Sequence, residues 1–162
     1  DFHTGIDIAA PPGTEIRGYS HPLGESAVAF MAAPALAARL TGGFPDCLDG
    51  APLLLSGRDS ALHSALLRWL ERQGKRVQVV GEFDDSALMK AFGEAGAGVF
   101  PTPAAGVPDV TAHYQVVKLG ETEEIRERFF LISAERRLTH PAARAVSENA
   151  RAGVFATLPR AG

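Results

Sequence analysis

The stretch of residues 77–100, VQVVGEFDDSALMKAFGEAGAGVF, has the pattern of a strand, a helix and a second strand. Its β-branched start leads into Gly81, and the acidic turn 84–86 then offers side-chain oxygens to the free N–H groups of a helix start. Apolar residues recur at the spacing of one helix face, at Leu88, Phe92 and Ala95. Glycines at positions 93, 96 and 98 end the helix and let the backbone turn into the second strand. Such a βαβ unit builds parallel sheets, whose ligands bind at the carboxyl ends of the strands.

Composition limits the classes of protein to which the chain can belong. Its 162 residues suit one compact domain or two small lobes, and an apolar fraction of 46% is ample for a core. The formal net charge of −3 argues against a general nucleic-acid surface. The single cysteine, Cys47, excludes an intramolecular disulfide and is expected to be an inert thiol beside a loop, as a reducing compartment permits. The sequence shows neither the roughly 20 apolar residues that a membrane span needs nor the start of a signal peptide.

Strands and helices alternate along the rest of the chain. The predicted strands are 6–9, 27–32, 53–55, 114–119 and 128–134, with a crossing segment at 15–24. Helices are predicted at 34–40, from about residue 60, in a short amphipathic piece at 110–113, and in a closing helix from His140 and Pro141. Asp59 or Ser60 caps the second of these helices, and its apolar face is Leu62, Leu66, Trp69 and Leu70. This order predicts an α/β fold with a mostly parallel sheet, in which one lobe is complete and the other lacks its N-terminal part.

The sequence carries no clear enzyme signature. The five histidines lack the spacing of a metal site, and His63 and His140, near helix starts, are expected to be solvated. No GxSxG nucleophile motif is present. The glycines at 93, 96 and 98 follow a helix, so a phosphate would meet the negative end of the helix dipole, and helix capping explains them better. Asp84 and Asp85 could be paired acids, although adjacent carboxylates at a helix start are more often capping groups.

Four turns at the predicted strand ends could form a binding site. They are 32–34, 56–60, 82–86 and 100–102, and in a parallel sheet all four would lie at the carboxyl edge. Exposed helix N–H groups and hydroxyls would then face one crevice, as recognition of a small molecule requires. The alternative is that these residues only cap helices, and for any single residue that alternative is favoured.

The chain resembles the effector-binding (regulatory) domain of LysR-type bacterial transcriptional regulators. The resemblance covers nearly the whole chain and is most specific in residues 126–151, RERFFLISAERRLTHPAARAVSENAR. Residues 85–93, DSALMKAFG, are closer still to the subgroup that regulates sodium/proton antiporters. The resemblance implies an α/β, type-2 periplasmic-binding-protein-like fold: two Rossmann-like lobes with parallel sheets, joined by two crossing strands, with the first lobe N-terminally incomplete.

The same resemblance implies three segments. Residues 1–20 would be a remnant of lobe one with the first hinge strand, residues 21–103 a complete α/β lobe two, and residues 104–162 the second crossing with the C-terminal part of lobe one. The residues expected to form the hinge are Tyr19, Ser20, Phe100 and Pro101.

The resemblance implies a sensor rather than an enzyme. A small molecule or ion would bind between the lobes and bias the hinge, and it would thereby reorient an N-terminal helix-turn-helix that these residues do not include. The protein would bind DNA only through that absent domain. The residues expected to line the lobe-two wall are Ser56, Ser60, Phe83, Asp85 and Thr102. No cofactor, metal or membrane contact is expected, and the protein would be cytoplasmic.

The resemblance also implies an effector and an assembly. For the antiporter-regulator subgroup the signal would be a cation such as sodium, and the acidic residues at the cleft edge are Glu82, Asp84 and Asp85. The intact protein would be a homo-oligomer whose lobe-two contacts are the helix 60–73 and the strand 76–80. The alternatives are a periplasmic-type solute-binding protein for a transporter, which shares the fold, and an α/β enzyme, against which the absent nucleophile and metal spacings count.

Overall fold

The computed structural model describes residues 19–133, residue 137 and residues 141–154. The strands are β1 (Tyr19–Ala32), β2 (Pro52–Ser56), β3 (Gln78–Phe83), β4 (Phe100–Pro103) and β5 (Val117–Ser133). The α-helices are α1 (Pro34–Ala37), α2 (Ala61–Arg72), α3 (Ser86–Glu94), α4 (Val107–His113) and α5 (Pro141–Asn149). The chain divides into two compact units, one of residues 27–126 and one of residues 1–26 with 127–162.

The predicted βαβ unit is confirmed as β3, α3 and β4. β2 and β3 pair in parallel, with Leu53 opposite Val79 and Ser56 opposite Phe83. On its other side, β2 forms a parallel bridge between Leu53 and Val99, the residue that precedes β4. β2 therefore lies between β3 and β4, and these three strands end at the same edge.

β1 runs in the opposite direction to these three strands. It pairs antiparallel with β4, so that Val28 lies opposite Pro103 and Met31 opposite Phe100, and the order of that sheet is β4-β1-β5. The expectation that the turn 32–34 lies at the carboxyl edge with the other turns is therefore wrong, because an antiparallel strand ends at the opposite edge. Residues 19–24 of the predicted crossing segment and the buried strand predicted at 27–32 form one strand, since Pro22 lies near the start of β1, where proline is tolerated. Residues 15–18 lie outside the described part of the chain. Residues 117–119 and 128–133 of the two later predicted strands likewise belong to the single strand β5, whereas residues 114–116 precede it.

Two apolar clusters hold the unit of residues 27–126 together. The first contains the predicted face of α2, namely Leu62, Leu66, Trp69 and Leu70, all buried as expected. There the rings of Phe30 and Trp69 stack with centroids 5.5 Å apart. The second cluster joins α3 and α4 to the sheet through Met31, Leu54, Met89, Phe100 and Val110. Buried Cys47 lies in the short 3₁₀ helix Asp46–Leu48 of the first cluster, where burial raises the pKa of its thiol, in keeping with an inert group.

The orientation of α3 differs from the simplest interpretation of its sequence. The apolar face formed by Leu88, Phe92 and Ala95 is exposed, and the residues that α3 buries are Met89 and Gly93. A side chain at position 93 would collide with the ring of Phe100. The absence of a Cβ atom at Gly93 therefore allows α3 to pack on the sheet through this face.

The compact units divide the chain at other points than the predicted segments. Their boundaries follow Ser26 and Arg126, whereas the sequence placed boundaries after residues 20 and 103. Of the predicted hinge residues, Tyr19 and Ser20 begin β1 and are exposed, whereas Phe100 and Pro101 are buried in β4. The hinge and the assignment of segments to lobes stay predictions. The strand predicted at 6–9 and the positions Ala134 and His140 lie outside the described residues.

The described helices are too short or too polar to cross a membrane.

Candidate functional site

The parallel strands β2, β3 and β4 bring four predicted site residues to one edge of the sheet. Ser56 and Phe83 are the last residues of β2 and β3 and lie opposite each other. Thr102 in β4 and Ser56 in β2 are each three residues beyond the bridged pair Leu53 and Val99. Asp85 follows Phe83 by two residues. Together with Ser60, which lies at the start of α2, these residues are called the carboxyl rim below.

Two hydroxyl groups of the carboxyl rim are buried without a hydrogen-bond partner among the described residues, Ser56 Oγ and Thr102 Oγ1. Thr102 is only 2% exposed. A buried polar group without a partner costs about 1–3 kcal/mol, so a native protein keeps one only for a reason. A hydroxyl both donates and accepts hydrogen bonds. Gly106 lies nearby, since Thr102 Oγ1 would be the nearest heavy atom to a methyl group added there, at 3.9 Å.

The other two polar residues of the carboxyl rim cap helices. Ser60 Oγ accepts a hydrogen bond from the N–H of Leu62 at 3.2 Å. Asp85 Oδ1 accepts from the N–H of Ala87 at 2.7 Å and from that of Leu88 at 3.3 Å. These bonds fix the N-termini of α2 and α3 at the carboxyl rim, where their partial positive charge faces the same edge.

The predicted cation ligands are engaged elsewhere. Arg58 Nε donates to Glu82 Oε2 at 2.9 Å and to Oε1 at 3.2 Å, and this hydrogen bond lowers the pKa of Glu82. Asp84 lies over Gly57, where its Oδ1 occupies the space that a Cβ atom would need, and Asp85 caps α3. In the described part of the chain, no group of three His, Cys, Asp or Glu residues could hold a metal ion.

His63 is a site residue whose environment the sequence analysis predicted incorrectly. The expectation of a solvated ring is wrong, because His63 is buried and its Nδ1 lies 2.8 Å from the carbonyl oxygen of Ser56. The ring therefore ties the first turn of α2 to the end of β2. A signal was present in the sequence, since His63 lies three residues before Leu66 and so on the buried side of the helix.

Comparison with known proteins identifies the family of this α/β protein. Residues 6–154 match the family model described as the LysR substrate binding domain. The chain therefore belongs to the LysR substrate-binding domain family, as its sequence predicted.

Curated relatives place the chain near one regulator of that family. The transcriptional activator protein NhaR of Escherichia coli (strain K12) is 39% identical over 117 residues, which are 72% of this chain and 39% of NhaR. NhaR of Shigella flexneri matches to the same extent. The chain therefore spans about two-fifths of the length of these relatives.

Solved structures show the same fold. The regulatory domain of CcmR from Synechocystis PCC6803, in complex with 2-PG, matches with a TM-score of 0.60 and 17% identity, over 94% of this chain and 74% of that one. The effector domain of AmpR from Pseudomonas aeruginosa matches with a TM-score of 0.61 and 22% identity, over 89% of this chain and 69% of that one. The predicted type-2 periplasmic-binding-protein-like fold is confirmed.

Proposed function

We propose that this chain is the effector-sensing domain of a LysR-type transcriptional regulator and that the carboxyl rim of residues 27–126 binds the effector. One observation carries the proposed site: the hydroxyls of Ser56 and Thr102 are buried near the ends of neighbouring strands and have no hydrogen-bond partner in the described part of the chain. Ligand sites of open α/β sheets lie at this edge. The family match supports the sensing role.

The chemistry of the carboxyl rim favours a small polar molecule over a bare cation. Ser56 and Thr102 can each donate to or accept from a polar group of the ligand, and Phe83 adds an apolar wall at the end of β3. A hard cation would need several oxygen ligands, but Glu82 is paired with Arg58 and Asp85 caps α3. Sodium thus stays a hypothesis that the test below includes.

Sensing requires that the effector bind one conformation of the regulator better than another. A coupling free energy of about 1–3 kcal/mol changes an affinity by about 5- to 150-fold, which is typical of allosteric control. In this proposal the regulator is cytoplasmic, and it binds DNA through a helix-turn-helix that is separate from these residues. The effector then changes the fraction of the regulator in the DNA-binding conformation.

We further propose that the intact regulator is a homo-oligomer and that β3 with α2 contributes to its interface. Among the described strands β3 pairs with β2 alone, so that its other edge is open. Val79 and Val80 on β3 are exposed, without a charged residue among positions 77–81. Proteins normally protect an open apolar edge with charges or cover it with another element. A second copy of the chain would supply that cover.

The proposed effector site can be tested with a thermal-shift screen of this chain. The library would contain small organic acids, amino acids and sugars, together with sodium chloride against choline chloride at equal ionic strength. A compound that raises the unfolding midpoint is then titrated calorimetrically against wild type, Ser56→Ala and Thr102→Val. Ser64→Ala is the matched control, because Ser64 lies exposed on α2.

The expected result is that Thr102→Val and Ser56→Ala each weaken binding by about tenfold, which corresponds to the loss of one hydrogen bond, while Ser64→Ala binds as wild type. Equal affinity of all four proteins would refute the site at the carboxyl rim. The sensing role is tested separately: the same compound should change transcription from a target promoter of the intact regulator.

A further inference from the structure

Helix α3 presents an apolar face to solvent. The outward positions, all exposed, are Ala87, Leu88, Ala91, Phe92 and Ala95. The two large side chains, Leu88 and Phe92, are 50% and 48% exposed and, four residues apart, lie side by side. A surface helix normally turns charged and polar residues to water. Adjacent large apolar groups at the surface mark a place where another molecule binds.

The opposite, inner side of α3 is packed against the sheet. The helix therefore cannot turn its outward apolar face into the core of the same unit. Met89 and Gly93 are buried against the sheet, and the backbone at Gly93 lies too close to the Phe100 ring for any side chain to fit. A rotation of α3 that buried Leu88 would lose that close contact. The outward face therefore stays available to a partner.

The face is also preformed. The rings of Phe92 and Phe83 contact each other, with centroids 5.2 Å apart and planes inclined by 52°. Phe83 is half-buried at the end of β3 and supports Phe92 from below. The contact restrains the ring of Phe92 before any partner binds, which lowers the entropic cost of binding.

The charges around this face are mainly negative. Residues 84–95 contain three carboxylates, Asp84, Asp85 and Glu94, against one cation, Lys90. Complementary potentials favour a partner with a positive flank. The same charges repel DNA and anionic lipid headgroups, and in a pair of identical faces each copy would oppose carboxylates to carboxylates. A positively charged protein segment is therefore the favoured occupant.

We propose that the outward face of α3 is the docking surface for a basic amphipathic helix of a partner protein. Its apolar side chains would cover Leu88 and Phe92, and its Lys or Arg residues would be attracted by the net negative charge of residues 84–95. This mode is the helix-on-apolar-surface recognition that many regulatory complexes use. The surface shares Phe83 with the carboxyl rim but does not include the hydroxyls of Ser56 and Thr102, and it does not depend on the proposed effector.

The probe for the test is a labelled synthetic helix of about 14 residues, or four turns. It carries leucines at the spacing of one face and lysines on both sides of that face. A scrambled peptide of the same composition controls for charge alone. Fluorescence anisotropy measures binding of both peptides to the whole chain and to three variants. The variants are Leu88→Ser with Phe92→Ser, Ala91→Arg in the centre of the face, and the control Val117→Ser, which removes an exposed (39%) side chain of β5.

We expect wild type and Val117→Ser to bind the patterned peptide at least about tenfold more tightly than the scrambled one, a difference of about 1.4 kcal/mol. The double variant and Ala91→Arg should lose that preference while keeping the circular dichroism spectrum of the wild type. Added salt should weaken binding. Equal binding of both peptides would overturn the proposal. Stronger binding to anionic vesicles than to the peptide would also overturn it and would assign the face to lipid. If the wild-type chain sediments as a dimer and both α3 variants sediment as monomers, the face would instead bind a second copy of the chain.

Discussion

Gly93 is the residue at which α3 meets the sheet, and it yields a prediction about stability. A methyl group there would collide with the ring of Phe100, which is fully buried. Overpacking costs up to about 3 kcal/mol when the collision with a buried ring is direct, and the higher helix propensity of alanine offsets about 1 kcal/mol. Gly93→Ala is therefore expected to lower the free energy of unfolding by about 2 kcal/mol. Gly43→Ala is the control, because no described heavy atom lies within 4 Å of its added methyl group. Urea unfolding measures both, and a Gly93→Ala protein as stable as wild type would contradict the packing.

Glu127 is expected to make the stability of the protein depend on pH, because its carboxyl group is buried in β5. Burial raises the pKa of Glu127 to about 7 from its ordinary value of 4.5, and its Oε2 has no hydrogen-bond partner among the described residues. The folded protein therefore binds this proton more tightly than the unfolded chain. Its contribution to stability is complete below pH 4.5 and is lost as the pH rises to about 7.

Replacing Glu127 with Gln should remove that pH dependence. At about pH 8 we expect Glu127→Gln to be more stable than wild type by up to about 3 kcal/mol, since each pKa unit is worth about 1.4 kcal/mol. At about pH 4 the two proteins should be nearly equal, because the carboxyl group is then mostly protonated in both states. Urea unfolding at both pH values measures the difference. The same dependence of stability on pH in both proteins would show that Glu127 is not the titrating group.

At the scale of elements, the start of α3 depends on one side chain. Asp85 Oδ1 accepts two backbone hydrogen bonds of the first turn, from Ala87 and Leu88. Asp85→Ala should lower the free energy of unfolding by about 1 kcal/mol, the usual cost of losing an N-terminal cap. Asp85→Asn keeps an accepting oxygen at the same place and should cost less than Asp85→Ala. Chemical unfolding compares the three proteins, and equal losses from both substitutions would indicate that charge, not capping, matters at this position.

At the scale of the whole molecule, the charge balance separates this chain from DNA binding. The chain contains 16 Lys and Arg residues and 19 Asp and Glu residues, which gives a formal net charge of −3. Non-specific affinity for DNA comes almost entirely from cations that neutralise phosphates. We therefore expect no binding of the 162-residue chain to a labelled duplex at physiological salt. Saturable binding of the chain itself, measured by anisotropy, would contradict this expectation.

The local signals in the sequence predicted most elements of the described fold, since capping and periodicity act between neighbouring residues. Ser60 and Asp85 cap the predicted helices, and α2 buries the face that its spacing indicated. The carboxyl rim was predicted in part, because a strand end can be recognised from its sequence. The direction of β1 was not, because a strand carries no local mark of which neighbour it will meet. The buried state of His63 was overlooked, since its place near a helix start suggested exposure.

What the sequence by itself determined is the order of strands and helices, their caps and the family, because each depends on residues close together in the chain or on a pattern of side chains. Only the tertiary structure decided which face of α3 points inward. Both faces of that helix are apolar, so periodicity cannot choose between them. The close approach of Gly93 to Phe100 makes the choice, and it leaves Leu88 and Phe92 exposed to solvent.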